Sequence, residues 1–184
     1  MGSTRDDAAG EAFDKAARVL GLPYPGGPSV EKLAREGEAN IAFPKMFRGS
    51  GYDFSYSGLK TAVINYCHTK EQKGEEYSRA DVAASFQAAA CGVLAERAVA
   101  AAKEKKCKTI AAGGGVIANG YLRELLQKEC GAAGIRLVLP EKKYCTDNAA
   151  MIAAEGLVQY HAKNFADLSI NTCAHIPLGK KGKQ

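Results

Sequence analysis

Three short segments of this chain combine residue types and spacings that can do chemistry. The first is Thr109–Asn119, reading TIAAGGGVIAN, with Gly113, Gly114 and Gly115 in a row. Glycines between a strand and a helix let a ligand approach the backbone closely. The helix start behind them presents amides and a positive dipole end to a phosphate. No Lys-Ser/Thr pair follows, so this is not a Walker motif. A plain strand-to-helix turn is the alternative use of the same glycines. Asn119 stands at the helix start, where it can cap the helix or contact a sugar hydroxyl. The second segment is Thr4–Lys15, in which Asp7, Glu11 and Asp14 recur at helical spacing and share one face. Such a row can hold ribose hydroxyls or a hydrated cation. It can equally be a capping cluster with a solvated face, which the local pattern alone favours. The third is Cys145–Asn148, where Asp147 opens a helix. A carboxylate there is stabilised as the anion and can ligate a metal, or simply cap the helix.

These segments need elements to position them. Ala8, Ala12, Phe13, Ala16, Ala17 and Leu20 follow a helical period over residues 7–20, with Asp6 or Asp7 as the expected N-cap and Gly21 as the stop. A Pro/Gly turn over 23–28 leads to a short helix from Ser29 to about Glu36. Residues 37–57 are irregular and hold Phe43, Phe47, Tyr52, Phe54 and Tyr56. Ser57 is expected to cap a helix to about Lys70, and Ser78 a long one over 79–105. The pattern then changes. A strand is expected over 108–112, a helix over 119–132, a second strand over 135–139, and a last helix over 147–162. Thr146 would cap that helix, and Ala149, Ile152, Ala153 and Leu157 would face inward. Strand–helix–strand of this length implies a right-handed parallel crossover. Two strands make a poor sheet alone, so further strands are expected to complete it.

Composition bounds the function. The chain has 184 residues, 46% hydrophobic and 24% charged, with 20 Gly and 6 Pro. That excludes collagen-like, disulfide-dense and disordered classes. No window reads as the 18 or more apolar residues of a membrane span, and no membrane role is expected. Residues 1–7 lack the apolar stretch of a secretory signal. The six cysteines contain no C-x-x-C pair, and His68, His161 and His175 form no helical two-His motif. Together these point to reduced thiols in the cytoplasm. The net charge of +5 is lumpy, with Lys-rich runs over 103–108 and 180–183. These are solvated surfaces or, for Lys180, Lys181 and Lys183, phosphate contacts.

The three segments, together with Tyr24–Pro28 and Asp53–Lys60, make five motif blocks in one order. In this the chain resembles the bacterial tRNA N6-adenosine threonylcarbamoyltransferases, the TsaD family, from Thr4 to about Tyr160. The resemblance implies an α/β fold: part of an actin/sugar-kinase/Hsp70-type, ribonuclease-H-like lobe, helix-rich with a small, mainly parallel sheet. On that reading residues 1–165 are the second lobe, with a helical region over 1–106 and a nucleotide-binding part over 107–165, and 166–184 form a tail. The activity implied is transfer of a threonylcarbamoyl group from threonylcarbamoyl-AMP to N6 of adenosine at tRNA position 37. Asp14 and Gly27 would contact the nucleoside end of the adenylate, Gly113 and Gly114 its phosphate side, and Asn119 the sugar or base. Asp7 and Glu11 would support them. Asp147 matches the carboxylate that holds the family's metal, iron or zinc. The family's first lobe and its His-x-x-x-His pair have no counterpart here, so the chain is expected to be a fragment, inactive alone. Partners implied are tRNA and the TsaB- and TsaE-like helpers of the pathway, with self-association through an exposed lobe interface. The family's historical label of metal-dependent O-sialoglycoprotein endopeptidase, and a non-catalytic nucleotide- or partner-binding lobe, are the alternatives.

Overall fold

The computed structural model describes residues 1–44 and 51–171, so Phe47, His175 and the three tail lysines lie outside the described residues. It divides into two units, Met1–Thr146 and Asp147–Gln184. The first unit carries α1 (Ala9–Val19), α2 (Gly26–Ala34), α3 (Ser57–Lys73), α4 (Arg79–Glu104), β1 (Thr109–Ala111), α5 (Gly120–Ala132) and β2 (Arg136–Val138). Short 3-10 turns occupy Gly115–Ala118 and Lys142–Tyr144. The second unit carries α6 (Ala149–His161). The helix-rich α/β class expected from the sequence is what folds.

The core is a helical cluster. α4 is its spine, with Val82, Ala83, Phe86, Ala90, Cys91 and Ala95 buried along it. Phe13 of α1 meets Phe86 edge to face, ring centroids 5.1 Å apart. Burying side chains of this size stabilises by roughly 1.5–3 kcal/mol each relative to leaving them exposed. The α4 helix is long and apolar enough to cross a membrane by length and composition, against the sequence expectation. Within the protein 56% of its apolar window is buried, the pattern of a core helix. Its Ser78 cap is present, the hydroxyl accepting from the Asp81 N–H at 3.1 Å.

β1 and β2 pair in parallel, Thr109 opposite Arg136 and Ala111 opposite Val138. Among the described residues this two-stranded sheet has no further strand. Only the central residues, Ile110 and Leu137, are half-buried, packed beside Val99, Cys130 and Ile135.

Four local expectations are corrected. Neither Asp6 nor Asp7 caps α1, whose N-cap position is Ala8. Ser29 lies inside α2, its hydroxyl donating to the Pro25 carbonyl at 3.0 Å. Ser57 is the first residue of α3 and not its cap. Asn148, not Thr146, caps α6, its side chain accepting from the Met151 N–H at 3.0 Å. The inward face expected of α6 is also absent: none of its residues is buried, with Ile152 66% and Leu157 58% exposed. Its apolar stripe exists, but the described residues supply no cover for it.

The real cap of α3 comes from the start of the chain. Residues 3–5 pair with Asp53 and Phe54, the Arg5 N–H donating to the Phe54 carbonyl at 2.8 Å and the Ser3 N–H to Asp53 Oδ1 at 3.0 Å. That seats Asp6 against the helix, where it accepts from the Tyr56 N–H at 2.7 Å, the Ser57 N–H at 3.4 Å and the Ser55 hydroxyl. Desolvation raises the Asp6 pKa, but these hydrogen bonds outweigh it and hold the carboxyl well below its usual 3.8. A depressed carboxyl pKa contributes stability that is present above the unfolded value. It is lost as pH falls through the folded value. We therefore expect Asp6→Ala to cost about 1 kcal/mol at neutral pH, the typical worth of a cap. The cost should shrink as pH falls below the unfolded value of about 3.8. Urea unfolding at pH 6 and at pH 2.5 checks this, and an equal cost at both pH values contradicts it.

Candidate functional site

One cleft of about 480 Å³ brings the sequence blocks of the first unit together. Its walls are Gly10, Phe13 and Asp14 from α1, Pro25, Gly27, Pro28 and Glu31 around the start of α2, Gly115, Val116, Ala118 and Asn119 from the glycine-rich turn, and Thr146. Three of the expected residues, Asp14, Gly27 and Asn119, thus line one cavity.

Asp14 is held by the helix it faces. Its Oδ1 accepts from the Gly26 N–H at 2.7 Å, satisfying the first orphan amide of α2. The approach requires glycine. A Cβ on Gly26 would lie 2.5 Å from Asp14 Cα and 2.7 Å from its carboxylate. The neighbouring Gly27 has nothing within 4 Å of the same added atom and opens to the cleft.

Gly113 and Gly114 are exposed and lie just before the wall, which the next glycine, Gly115, enters. Gly114 adopts φ +94°, which a side chain disfavours, and turns the chain from β1 into the 3-10 turn. This turn takes the place of a helix directly behind the glycines.

Asn119 is the N-cap of α5, its side-chain oxygen accepting from the Leu122 N–H at 2.9 Å. Its amide donates to Gln87 Oε1 at 2.8 Å, and the residue is 8% exposed. We expect Asn119→Ala to destabilise by about 2 kcal/mol, by loss of the cap and by leaving the Gln87 oxygen without its donor. Thermal unfolding of Asn119→Ala beside Asn119→Asp, which keeps the cap, checks this.

Glu31 was not singled out from sequence. It lines the cleft and accepts the Gly120 N–H at 3.1 Å, and Arg35 Nη2 donates to it at 2.6 Å. A Glu on a predicted helix face gives no local signal of a partner 89 residues away. It corrects the expectation of free amides at the start of α5. The Gly120 and Leu122 amides are engaged, and a carboxylate at that end disfavours a phosphate there.

The expected carboxylate row is also rearranged. Asp7 and Glu11 both pair with Lys15, at 2.5 and 2.7 Å, and neither lines the cleft. That raises the Lys15 pKa through its hydrogen bonds to Asp7 and then Glu11. Buried Cys91 is an inert thiol, pushed up to about 12 by desolvation and then by the Glu31 charge.

Asp147 belongs to the second unit and is exposed. Among the described residues no group of three or more His, Cys, Asp or Glu could hold a metal ion. One carboxylate does not fit iron or zinc, which take four or more donors, so no chemical step is assigned to a metal here.

The cleft can therefore do one thing well. Phe13, Pro25, Pro28, Val116 and Ala118 offer apolar walls to a flat ring, while Asp14 and Glu31 accept hydrogen bonds from hydroxyls or amines.

Comparison with known proteins decides the family. The TsaD family, described as tRNA N6-adenosine threonylcarbamoyltransferase, matches residues 1–154. The chain belongs to the TsaD family. Relatives named tRNA N6-adenosine threonylcarbamoyltransferase include those of Moorella thermoacetica, 53% identical over 180 residues, and Geobacillus kaustophilus, 51% identical over 180 residues. Each alignment takes in 97% of this chain and 53% of the relative. The chain thus spans about half the length of these TsaD relatives. Among solved structures, HypF of T. kodakarensis superposes with a TM-score of 0.66 at 21% identity, over 85% of this chain and 20% of that one. That likeness concerns fold alone. With TsaD membership it is consistent with a ribonuclease-H-like lobe of the actin/sugar-kinase type.

Proposed function

We propose that this chain is the nucleoside-binding part of a tRNA N6-adenosine threonylcarbamoyltransferase. The observation that carries the reading is the convergence of Asp14, Gly27, Glu31 and Asn119 on one apolar cleft beside a glycine-rich strand–turn–helix. The adenine of threonylcarbamoyl-AMP lies against the apolar walls. The carboxylates of Asp14 and Glu31 accept hydrogen bonds from the ribose hydroxyls, and Gly113 and Gly114 pass along the phosphate. The carbonyl next to that phosphate is already activated, so the protein's task is to hold it against the N6 amine of a tRNA adenosine. Asp147 would offer one ligand to a divalent metal, iron or zinc, whose remaining donors the described residues do not supply. The partners are tRNA and the TsaB- and TsaE-like helpers, in the cytoplasm, and the exposed stripe of α6 suits self-association. For the isolated chain, a cleft that suits a nucleoside and an Asp147 without further metal donors among the described residues favour a lobe that binds nucleotide without catalysing transfer.

Calorimetric titration with AMP tests the reading, with UMP as the comparison. Binding of AMP over UMP, lost in both Asp14→Ala and Glu31→Gln while each retains a cooperative melting transition, lowered in Asp14→Ala by the loss of the Gly26 hydrogen bond, is the expected result. Absence of AMP binding by the wild-type chain, or undiminished binding by both variants, overturns it.

A further inference from the structure

Arg123, on the second turn of α5, is half-buried and pairs with no carboxylate among the described residues. Its guanidinium is instead divided among three segments of chain. Nη1 donates to the Ile117 carbonyl at 3.1 Å, inside the 3-10 turn, and lies 3.8 Å from Cys145 Sγ. Nη2 donates to the Pro140 carbonyl at 2.8 Å, just past β2. Cys145 is 4% exposed, and its thiol in turn donates to the Glu141 carbonyl at 3.6 Å.

These acceptors sit beside the cleft and not in it. Ile117 lies between Val116 and Ala118, and Cys145 precedes Thr146; all three of those neighbours line the cleft. Turn carbonyls have no ladder partners, so a donor that reaches them fixes where their neighbours stand. A planar fork with several N–H groups can hold three acceptors at once, which an ammonium on a flexible stem cannot reproduce.

We propose that Arg123 is a positioning residue: it staples the glycine-rich turn to the Pro140–Cys145 segment and so sets the width of the cleft between Val116 and Thr146. The nucleotide arm of its test rests on the function proposed above, and the cysteine arm does not.

The test uses the full chain and its own thiols. Native alkylation with N-ethylmaleimide, read cysteine by cysteine by peptide mass spectrometry, compares wild type, Arg123→Ala and Arg123→Lys. Exposed Cys107 labels at once, while buried Cys67 and Cys91 report global opening. In Arg123→Ala, Cys145 should label about tenfold faster with Cys67 and Cys91 unchanged, since a local opening is released without the core. AMP affinity should fall about tenfold in the same variant, because the cleft is no longer preorganised. Arg123→Lys, which folds with its stem and charge intact, should fall between the two. Unchanged Cys145 labelling in both variants overturns the staple. So does acceleration of Cys67 and Cys91 together with Cys145, which makes Arg123 a general fold residue. Faster Cys145 labelling with undiminished AMP affinity overturns its role in the cleft. If the wild type binds no AMP, the nucleotide reading falls by itself, and the cysteine ratios still decide the staple.

Discussion

Supplied with threonylcarbamoyl-AMP, iron or zinc and tRNA, the purified 184-residue chain should form no threonylcarbamoyladenosine above the uncatalysed background. Transfer needs the activated carbonyl and the attacking amine held together, an arrangement worth on the order of 10⁵-fold or more in rate. On the proposed reading the described residues seat one end of one reactant. The cleft is walled by Asp14, Glu31, Asn119 and their apolar neighbours, which suits a nucleoside and leaves the acyl end unheld. Toward a metal they offer Asp147 without a second and third donor in reach. Water also reaches an adenylate bound in an open cleft, so breakdown competes with transfer. The assay is nucleoside analysis of the treated tRNA, with a full-length TsaD relative in parallel. Turnover comparable to that relative would mean that these residues complete an active site by themselves.

Adjacent glycines at the start of α2 should respond in opposite ways to the same added methyl group. Gly26→Ala places a carbon 2.5 Å from the Asp14 backbone and 2.8 Å from Ala17 Cβ, neither of which is a flexible side-chain end. Overpacking of this kind forces the backbone to move, and we expect it to cost about 3 kcal/mol and to break the hydrogen bond from the Gly26 N–H to Asp14. Gly27→Ala meets nothing within 4 Å. Its stability should hold or rise by a few tenths of a kcal/mol, since alanine favours a helix over glycine. If a ligand lies against the Gly27 backbone, the methyl occupies its place, and AMP affinity should fall at least about tenfold with the melting temperature kept. Melting curves and calorimetry on the two variants read both effects. A destabilised Gly27→Ala, or a Gly27→Ala that binds AMP as the wild type does, contradicts the placement of Gly27 at the ligand.

Much of this was legible along the chain. A period of 3.6 residues locates α1, because one apolar face repeats wherever a helix lies on a core. Ser78 caps α4 and Asn119 caps α5 because an N-cap bonds an amide two or three residues onward, well inside local sequence. The glycine-rich turn after β1, and the five motif blocks that point to the TsaD family, are also linear features. What the linear pattern lacks is any pairing across distance. Asp6 stands where a cap of α1 belongs, yet it caps α3, because residues 3–5 pair with Asp53 and Phe54 and carry it there. Asp7, Glu11 and Asp14 share a helical face, yet Lys15 takes the first two and the start of α2 takes the third. Glu31 enters the site because α2 packs where its carboxylate reaches the Gly120 amide. Periodicity in α6 shows an apolar stripe but not what covers it, and no residue of α6 is buried. Local propensity and capping act within a turn or two of helix, so the sequence determined the elements and the caps of α4 and α5. Which carboxylate meets which amide depends on how those elements pack, and only the tertiary structure decided it.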